Sequence, residues 1–249
     1  MEDNLNLNEA SGAESQRVTP GDNTSKIVGA ILLAGVIIAG AILLKDRPAT
    51  NSPQAPQDSV PIFSACLESG KYTEKVESDM RDGNKMGVRG TPSSFILVNG
   101  KVVDTIPGAL PYEEVKEKVE KALGSDGGGG EAMAGRPISA DDHILGKLDS
   151  KVIVLEYSDL ECPFCKIFHA TMHRVLDSNK EVAWVYRHYP IPQLHSKAVR
   201  EAEASECAWE QGGNEAFWKY VDRIFQITPS NDRLDSLELF KIAEQIGLK

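Results

Sequence analysis

The alternation of apolar and polar positions predicts a mixture of strands and helices. Apolar runs predict four strands, at residues 94–98, 101–106, 152–157 and 181–189. Helical patterns occupy residues 61–80, 112–123 and 166–176, and most of the chain after residue 189. The dipeptide Asn99-Gly100 separates the first two strands, and Asn-Gly is the strongest short signal for a β-hairpin. The chain is therefore predicted to be an α/β protein.

An unbroken apolar run at residues 27–44 is long enough to cross a bilayer. It shows no amphipathic periodicity, which argues against a buried core helix, and no A-x-A-like cleavage site follows it. We therefore expect a transmembrane anchor at residues 26–45 that is not removed. Residues 1–25 are predicted to be a disordered cytoplasmic tail, and residues 46–58 a Pro-rich linker.

The remaining chain is divided by a Gly-rich segment, residues 124–137, which is predicted to be a flexible linker. It separates residues 59–123 from residues 138–249. The net charge of the chain is −10, which argues against a nucleic-acid partner because binding phosphates requires a basic surface.

The sequence Cys162-Pro163-Phe164-Cys165 follows the strand at 152–157 and opens a helical pattern. A cysteine at a helix start faces unpaired backbone N–H groups and the positive end of the helix dipole, and both favour the thiolate. Cys162 is therefore the candidate nucleophile and Cys165 the resolving thiol. Pro163 suits a first helical turn.

A zinc site is the main alternative for these cysteines, because Cys162, Cys165, His169 and His173 have zinc-like spacing. On one continuous helix, however, the first and last of these residues lie roughly 16 Å apart along the axis. Four ligands of one zinc ion cannot span that distance. A partial site from Cys165 and His169, and a purely structural role for two buried thiols, stay open. No metal and no cofactor are expected.

Three motifs together resemble a known family. The CPFC motif after a strand, Gly90-Thr91-Pro92 before a hairpin and Phe217-Trp218 in a helical insertion are similar to DsbA-like thiol–disulfide oxidoreductases of the thioredoxin superfamily, in particular the membrane-anchored bacterial branch. The resemblance covers residues 58–123 and 138–249, and it implies a thioredoxin-like fold with a helical insertion.

The two halves of this resemblance stand in the opposite order to the family's, because the hairpin half, residues 59–123, precedes the CPFC half, residues 138–249. This order predicts a circular permutation in which the Gly-rich linker joins the original ends. An engineered or misassembled sequence and a domain-swapped dimer stay open as alternatives.

The resemblance also implies roles for single residues. Thr91 and Pro92 match the loop that faces the dithiol, in which the proline is cis. Glu156 matches a buried acid that relays a proton to Cys165; from the residues alone, a solvated strand carboxylate is an equal alternative. Phe164 stands where the strongest oxidants of the family carry histidine, which places the oxidising strength in doubt.

Cys66 and Cys207 match positions that pair in some anchored members of the family. A structural disulfide between them is therefore expected, with two small buried thiols as the alternative.

The function implied by the resemblance is disulfide formation in exported proteins that carry free thiols. Such chemistry belongs in an oxidising compartment, so we expect a single-pass cell-membrane protein, held by residues 27–44, with its catalytic domain outside the cytoplasm. The family implies a quinone-linked membrane partner that reoxidises the dithiol. A disulfide reductase or isomerase and a non-catalytic anchored binding module for unfolded exported chains are the alternatives.

Overall fold

The computed structural model describes residues 59–249. The predicted tail, transmembrane anchor and Pro-rich linker, at residues 1–25, 26–45 and 46–58, lie outside the described residues. Within 59–249, no helix is both long enough and apolar enough to span a membrane.

Six strands and six helices form the described part of the chain. The strands are β1 (Ser93–Val98), β2 (Lys101–Pro107), β3 (Glu131–Ala132), β4 (His143–Leu145), β5 (Val152–Ser158) and β6 (Val182–His188). The helices are α1 (Pro61–Ser69), α2 (Thr73–Lys85), α3 (Tyr112–Leu123), α4 (Pro163–Ser178), α5 (Ala198–Ile227) and α6 (Glu238–Gln245). They confirm the predicted α/β class.

All six strands belong to one sheet, in the order β3-β2-β1-β5-β6-β4. Strand β1 pairs antiparallel with β2 and also with β5, where Ser94 lies opposite Glu156. Strands β5 and β6 run parallel. The hairpin half and the CPFC half of the chain therefore share one continuous sheet, and β1 and β5 form the junction between them.

Three positive backbone φ angles explain local features of the hairpin half. At the β1–β2 turn, Asn99 has φ 51° and Gly100 has φ 74°, the left-handed pair that a two-residue hairpin turn needs. The single helix expected at 61–80 is wrong. Gly70, with φ 63°, ends α1 in the left-handed conformation, and α2 begins at Thr73.

The segment predicted as a flexible linker packs against the sheet edge. Residues Glu131–Ala132 form β3, which pairs with Lys101 and Val102 of β2. At the end of the segment, Arg136 forms ion pairs with Asp79 and Asp142, over 2.7 and 2.8 Å. Strand pairing and ion pairs to buried carboxylates therefore order a segment that its glycine content predicts to be flexible.

Both faces of the sheet are buried. Because successive strand side chains point to opposite faces, Val154 joins the large core under α1, α3, α4, α5 and α6, whereas Leu155 joins a smaller cluster with Val88 and Tyr157. The continuous apolar character of the central strand follows from this double burial.

A buried ion-pair network also links the two halves. Arg187 of β6 is fully buried, and its guanidinium binds both carboxylate oxygens of Asp142, over 2.8 and 3.0 Å, together with the carboxylate of Asp82 in α2. Charge-assisted contacts of this kind are strong only when their geometry satisfies the buried charges. Their arrangement holds α2 against β6.

The end of the chain lies beside α1. The backbone N–H of Phe63 donates to the carbonyl oxygen of Lys249 over 2.6 Å. A disulfide between Cys66 of α1 and Cys207 of α5, with 5.9 Å between the Cα atoms, fastens the same region. This proximity is what the predicted circular permutation requires.

Candidate active site

The turn after β5 places Cys162 at the start of α4. The N–H of Cys162 donates to the carbonyl of Asp159 over 3.1 Å, and the N–H of Lys166 donates to the carbonyl of Cys162 over 3.1 Å. The helix itself begins at Pro163. Cys162 is 4% exposed and Cys165 is fully buried, and both are free thiols. The local sequence therefore presents one sulfur toward the surface and keeps the second inside.

The loop before β1 faces this dithiol. The peptide bond between Thr91 and Pro92 is cis, and the Sγ of Cys162 lies 3.4 Å from the carbonyl oxygen of Thr91. The structure thus brings together the two motifs that the resemblance places side by side, although they belong to different halves of the chain.

The two thiols have opposite electrostatic environments. Hydrogen bonding by Cys165, together with donors at Thr91 and the N–H of Phe164, lowers the pKa of Cys162 to about 6, against the effect of burial. Burial raises the pKa of Cys165 well above its ordinary value, and its neighbour Cys162 raises it further. At neutral pH, Cys162 is therefore the thiolate and Cys165 the thiol.

Glu156 lies on β5 beneath the dithiol and is fully buried. One carboxylate oxygen accepts a hydrogen bond from the indole N–H of Trp184 over 2.8 Å, while the other has no partner within residues 59–249. Burial raises the pKa of Glu156 to about 7, and the charge of Glu156 in turn raises the pKa of Cys165. The alternative of a solvated strand carboxylate is wrong, and the carboxyl can exchange a proton near neutral pH.

A cavity of about 470 Å³ opens in front of Cys162. Its walls come from the Thr91 loop, the start of α4 and the segment after β6. Phe164 and Leu194 are 61% and 68% exposed at its rim. These side chains give the entrance an apolar character that suits a polypeptide segment more than a small charged molecule.

His195 lines this cavity and is paired with the buried Asp159, a contact that the sequence did not predict. The Nδ1 of His195 lies 2.9 Å from a carboxylate oxygen of Asp159, and the same oxygen accepts a hydrogen bond from the N–H of Ile191. Burial lowers the pKa of His195, but the hydrogen bond and charge of Asp159 raise it above its ordinary value. The sequence gives no reason to pair Asp159 with a histidine that is 36 positions away.

A buried pair of glutamates lies behind Cys162. Glu161 and Glu201 are 0% and 2% exposed. One carboxylate oxygen of Glu161 accepts the N–H of Asp232 over 2.7 Å. Burial, together with hydrogen bonding and charge from Glu161, raises the pKa of Glu201 to about 10. Glu201 is therefore protonated at neutral pH.

The two histidines weighed for a zinc site do not face the dithiol. Both His169 and His173 direct their Nε2 atoms at Asp222 of α5, over 2.7 and 2.8 Å. In residues 59–249, neither cluster of three or more metal-ligating side chains includes a cysteine. The partial site from Cys165 and His169, which the sequence left open, is therefore not supported, because His169 is paired with Asp222 instead.

Comparisons with known proteins found segments similar to a thioredoxin family model, to a disulfide bond formation protein and to a DsbA2 structure. The family model described as thioredoxin matches residues 139–245. Disulfide bond formation protein D of Bacillus subtilis is 28% identical over 107 residues, which cover 42% of this chain and 48% of that protein. A crystal structure of Pseudomonas aeruginosa DsbA2 shares 34% identity and covers 44% of this chain and 65% of that one, with a TM-score of 0.36.

Antiporters also contain a similar segment. The Na(+)/H(+) antiporter NhaA 3 of Salinispora tropica is 35% identical over 113 residues, which cover 45% of this chain. The chain spans only 16% of that protein and 48% of disulfide bond formation protein D. The likeness therefore concerns a part of each relative rather than its whole length.

Proposed function

We propose that the chain is a DsbA-like member of the thioredoxin superfamily, and that it forms disulfide bonds in exported proteins through Cys162 and Cys165. The observation that carries the proposal is the contrast between the two thiols. Cys162, with a pKa of about 6, is held as a thiolate at the mouth of the cavity, whereas the buried Cys165 keeps its proton.

The reaction exchanges two electrons between the dithiol and the substrate. A substrate thiolate attacks the Sγ of Cys162 in the oxidised enzyme, the Cys162–Cys165 bond breaks, and Cys165 leaves and takes up a proton. A second substrate thiolate then attacks the substrate sulfur of the mixed disulfide, and Cys162 leaves as a thiolate. The substrate gains a disulfide and the enzyme is left as the dithiol.

The pKa of Cys162 sets the direction of this exchange. Stabilising the Cys162 thiolate stabilises the reduced enzyme, and an enzyme with a stable reduced form is the stronger oxidant. Glu156, with a pKa of about 7, is suited to give Cys165 its proton as that sulfur leaves and to remove it in the reverse direction.

A reductase or isomerase remains the second candidate, and Phe164 is the observation that favours it. An aromatic ring at this position supplies no positive charge beside Cys162, so one possible source of thiolate stabilisation is missing. A weaker stabilisation of the thiolate would lower the reduction potential.

The reduction potential of Cys162–Cys165 distinguishes these candidates. Residues 59–249 are equilibrated with glutathione redox buffers, and the reduced fraction is measured by thiol trapping. A potential near that of an oxidising exported compartment supports a disulfide donor, and one near that of thioredoxin supports a reductase or isomerase. Absence of a reversible couple contradicts both and leaves the non-catalytic binding module, whose peptide binding Cys162→Ala would leave intact.

We also propose that the domain works outside the cytoplasm, held to the cell membrane by residues 27–44. The Cys66–Cys207 disulfide supports this location, because structural disulfides persist in oxidising compartments. A quinone-linked membrane protein would restore the Cys162–Cys165 bond after each turnover. Labelling of intact cells with a membrane-impermeant thiol reagent tests the location, since modification of Cys162 requires it to face outward.

A further inference from the structure

We propose that His169, His173 and Asp222 form a binding site for one divalent transition-metal ion, with zinc as the test ion. His169 and His173 lie one turn apart on α4, the helix that carries the dithiol, and Asp222 comes from the facing helix α5. The site is separate from the sulfur chemistry and does not rest on the proposed function.

Three ligand atoms converge on one point. The Nε2 atoms of His169 and His173 are 2.7 and 2.8 Å from the same oxygen of Asp222, and 3.2 Å from each other. Ligand atoms bound to one tetrahedral zinc ion at 2.0–2.2 Å are about 3.3–3.5 Å apart. For an ion to enter, the two contacts between a histidine and the carboxylate oxygen therefore have to open by about 0.5–0.8 Å, and the contact between the histidines by about 0.1–0.3 Å.

The protonation states of the two rings decide how hydrogen bonds hold this cluster together. If both Nε2 atoms carry a proton, two donors converge on one oxygen while lying 3.2 Å from each other. If one of them lacks its proton, its lone pair faces the carboxylate oxygen at less than 3 Å. A cation between the three atoms accepts both lone pairs and the carboxylate charge at once.

The cluster is packed against aromatic rings on one side, which holds the ligands in place, and open to the surface on the other, which lets an ion enter. His169 is 5% exposed, and its ring packs between Trp184 and Phe225, with centroids 5.0 and 4.6 Å away. On the outer side, a surface cavity of about 310 Å³ reaches His173 and Asp222. Water can therefore complete the coordination of the ion.

Among the described residues, one lysine lines this cavity, and its ammonium group is engaged by a backbone carbonyl. The ammonium group of Lys166, which lines it, donates to the carbonyl oxygen of Thr228 over 2.6 Å. Two imidazoles and one carboxylate with open positions are a donor set for zinc and similar first-row ions, and a poor one for calcium or magnesium. The ion would join α4 to α5 and so stabilise the folded domain by mass action.

Calorimetric titration with zinc tests the site. The protein is first oxidised, so that Cys162 and Cys165 form a disulfide and cannot take the ion as thiolates. We expect equimolar binding, weakened at least about tenfold by His173→Ala and by Asp222→Asn, because each removes one of three ligands. Glu244→Gln removes an exposed carboxylate outside the cluster and should bind as the unaltered protein does.

Cobalt gives a second readout on the unaltered, oxidised protein. Ligand-field absorption without a sulfur-to-cobalt charge-transfer band supports a site of nitrogen and oxygen ligands. The proposal is overturned if the folded, oxidised protein shows no saturable zinc binding, or if both variants bind zinc as tightly as Glu244→Gln does. Neither result affects the redox proposal, because the reduction potential is measured without added metal.

Discussion

The Sγ of Cys162 lies 3.4 Å from the backbone carbonyl oxygen of Thr91, although 71 positions separate the two residues. As a thiol, Cys162 donates to that oxygen; as a thiolate, it requires donors instead. The hydroxyl of Thr91 is buried and has no hydrogen-bond partner in the described part of the chain, and the side chain of Thr91 helps to lower the pKa of Cys162. One residue of the hairpin half thus acts on the ionisation of the nucleophile in the CPFC half.

Replacing Thr91 by valine should raise the pKa of Cys162 by about one pH unit, because a hydrogen bond to a charged sulfur contributes about 1.5 kcal/mol or more. Thr91→Ser keeps the hydroxyl and should leave the pKa close to about 6. Ultraviolet absorbance of the thiolate against pH measures both variants. Equal values for the two variants would show that the Thr91 hydroxyl has no part in stabilising the thiolate.

Cys165 is the largest cause of the low pKa of Cys162. In the reduced protein, alkylation of Cys162 should therefore rise with pH around a midpoint of about 6, since only the thiolate reacts. Cys165→Ala removes the S–H donor and should move the midpoint to higher pH, with roughly tenfold slower alkylation at pH values below the new midpoint. Mass spectrometry of the quenched protein follows the reaction. An unchanged midpoint in this variant would assign the thiolate stabilisation to Thr91 and the helix start instead of to Cys165.

Glu156 should control proton transfer at Cys165. An amide cannot exchange the proton, so Glu156→Gln should slow the oxidation of a dithiol peptide by roughly a hundredfold. Below pH 7, Glu156→Gln and the unaltered protein should have the same rate of Cys162 alkylation. The reason is that Glu156, with a pKa of about 7, is already neutral at those pH values in the unaltered protein. Quenched-flow analysis of peptide oxidation gives the first rate, and Glu156→Asp tests whether a carboxyl restores it. Full activity in Glu156→Gln would leave the carboxyl without a role in the reaction.

Parts of this site follow from the sequence, and parts do not. The strand, turn and Cys-x-x-Cys of residues 152–165 are local, so their periodicity was sufficient to place Cys162 at a helix start. The buried partners of Glu156 and Asp159 are not local. Trp184 comes from β6 and His195 from the segment after it, and only the parallel pairing of β5 with β6 brings them together.

The same distinction explains the errors outside the site. Composition described residues 124–137 as a flexible linker, but Arg136 has buried carboxylate partners and Glu131–Ala132 extend the sheet. Glycine content predicts the flexibility of an isolated backbone, whereas tertiary contacts determine whether the segment is ordered in the folded protein. Gly70 shows the reverse case, in which a single residue ends a helix that apolar periodicity alone would continue.

The buried Glu161–Glu201 pair makes stability depend on pH. Glu201 has a pKa of about 10 in the folded protein and an ordinary value of 4.5, so between these values the folded state holds a proton that the unfolded state has lost. The stability that this group contributes therefore falls as the pH rises through that range. Glu201→Gln is neutral at every pH and should gain in melting temperature, relative to the unaltered protein, as the pH rises. If the melting temperatures of Glu201→Gln and of the exposed-site control Glu244→Gln change in parallel with pH, the raised pKa of Glu201 is refuted.

The contact of Phe63 with Lys249 makes the predicted permutation testable by rearranging the chain. A protein that begins at residue 125, continues to 249 and then runs through residues 59–124 keeps every strand pair of the sheet and cuts only the Gly-rich segment. Because the Phe63 N–H and the Lys249 carbonyl oxygen are 2.6 Å apart, residues 59–62 have to span only a short distance between Lys249 and α1.

For the rearranged protein, we expect a monomer with the Cys66–Cys207 disulfide and an unchanged Cys162 pKa of about 6. Sedimentation, non-reducing mass spectrometry and thiolate titration check these three properties. A dimer in the original order that becomes a monomer on rearrangement would favour exchanged halves, and failure of the rearranged chain to form the disulfide would contradict a permuted fold.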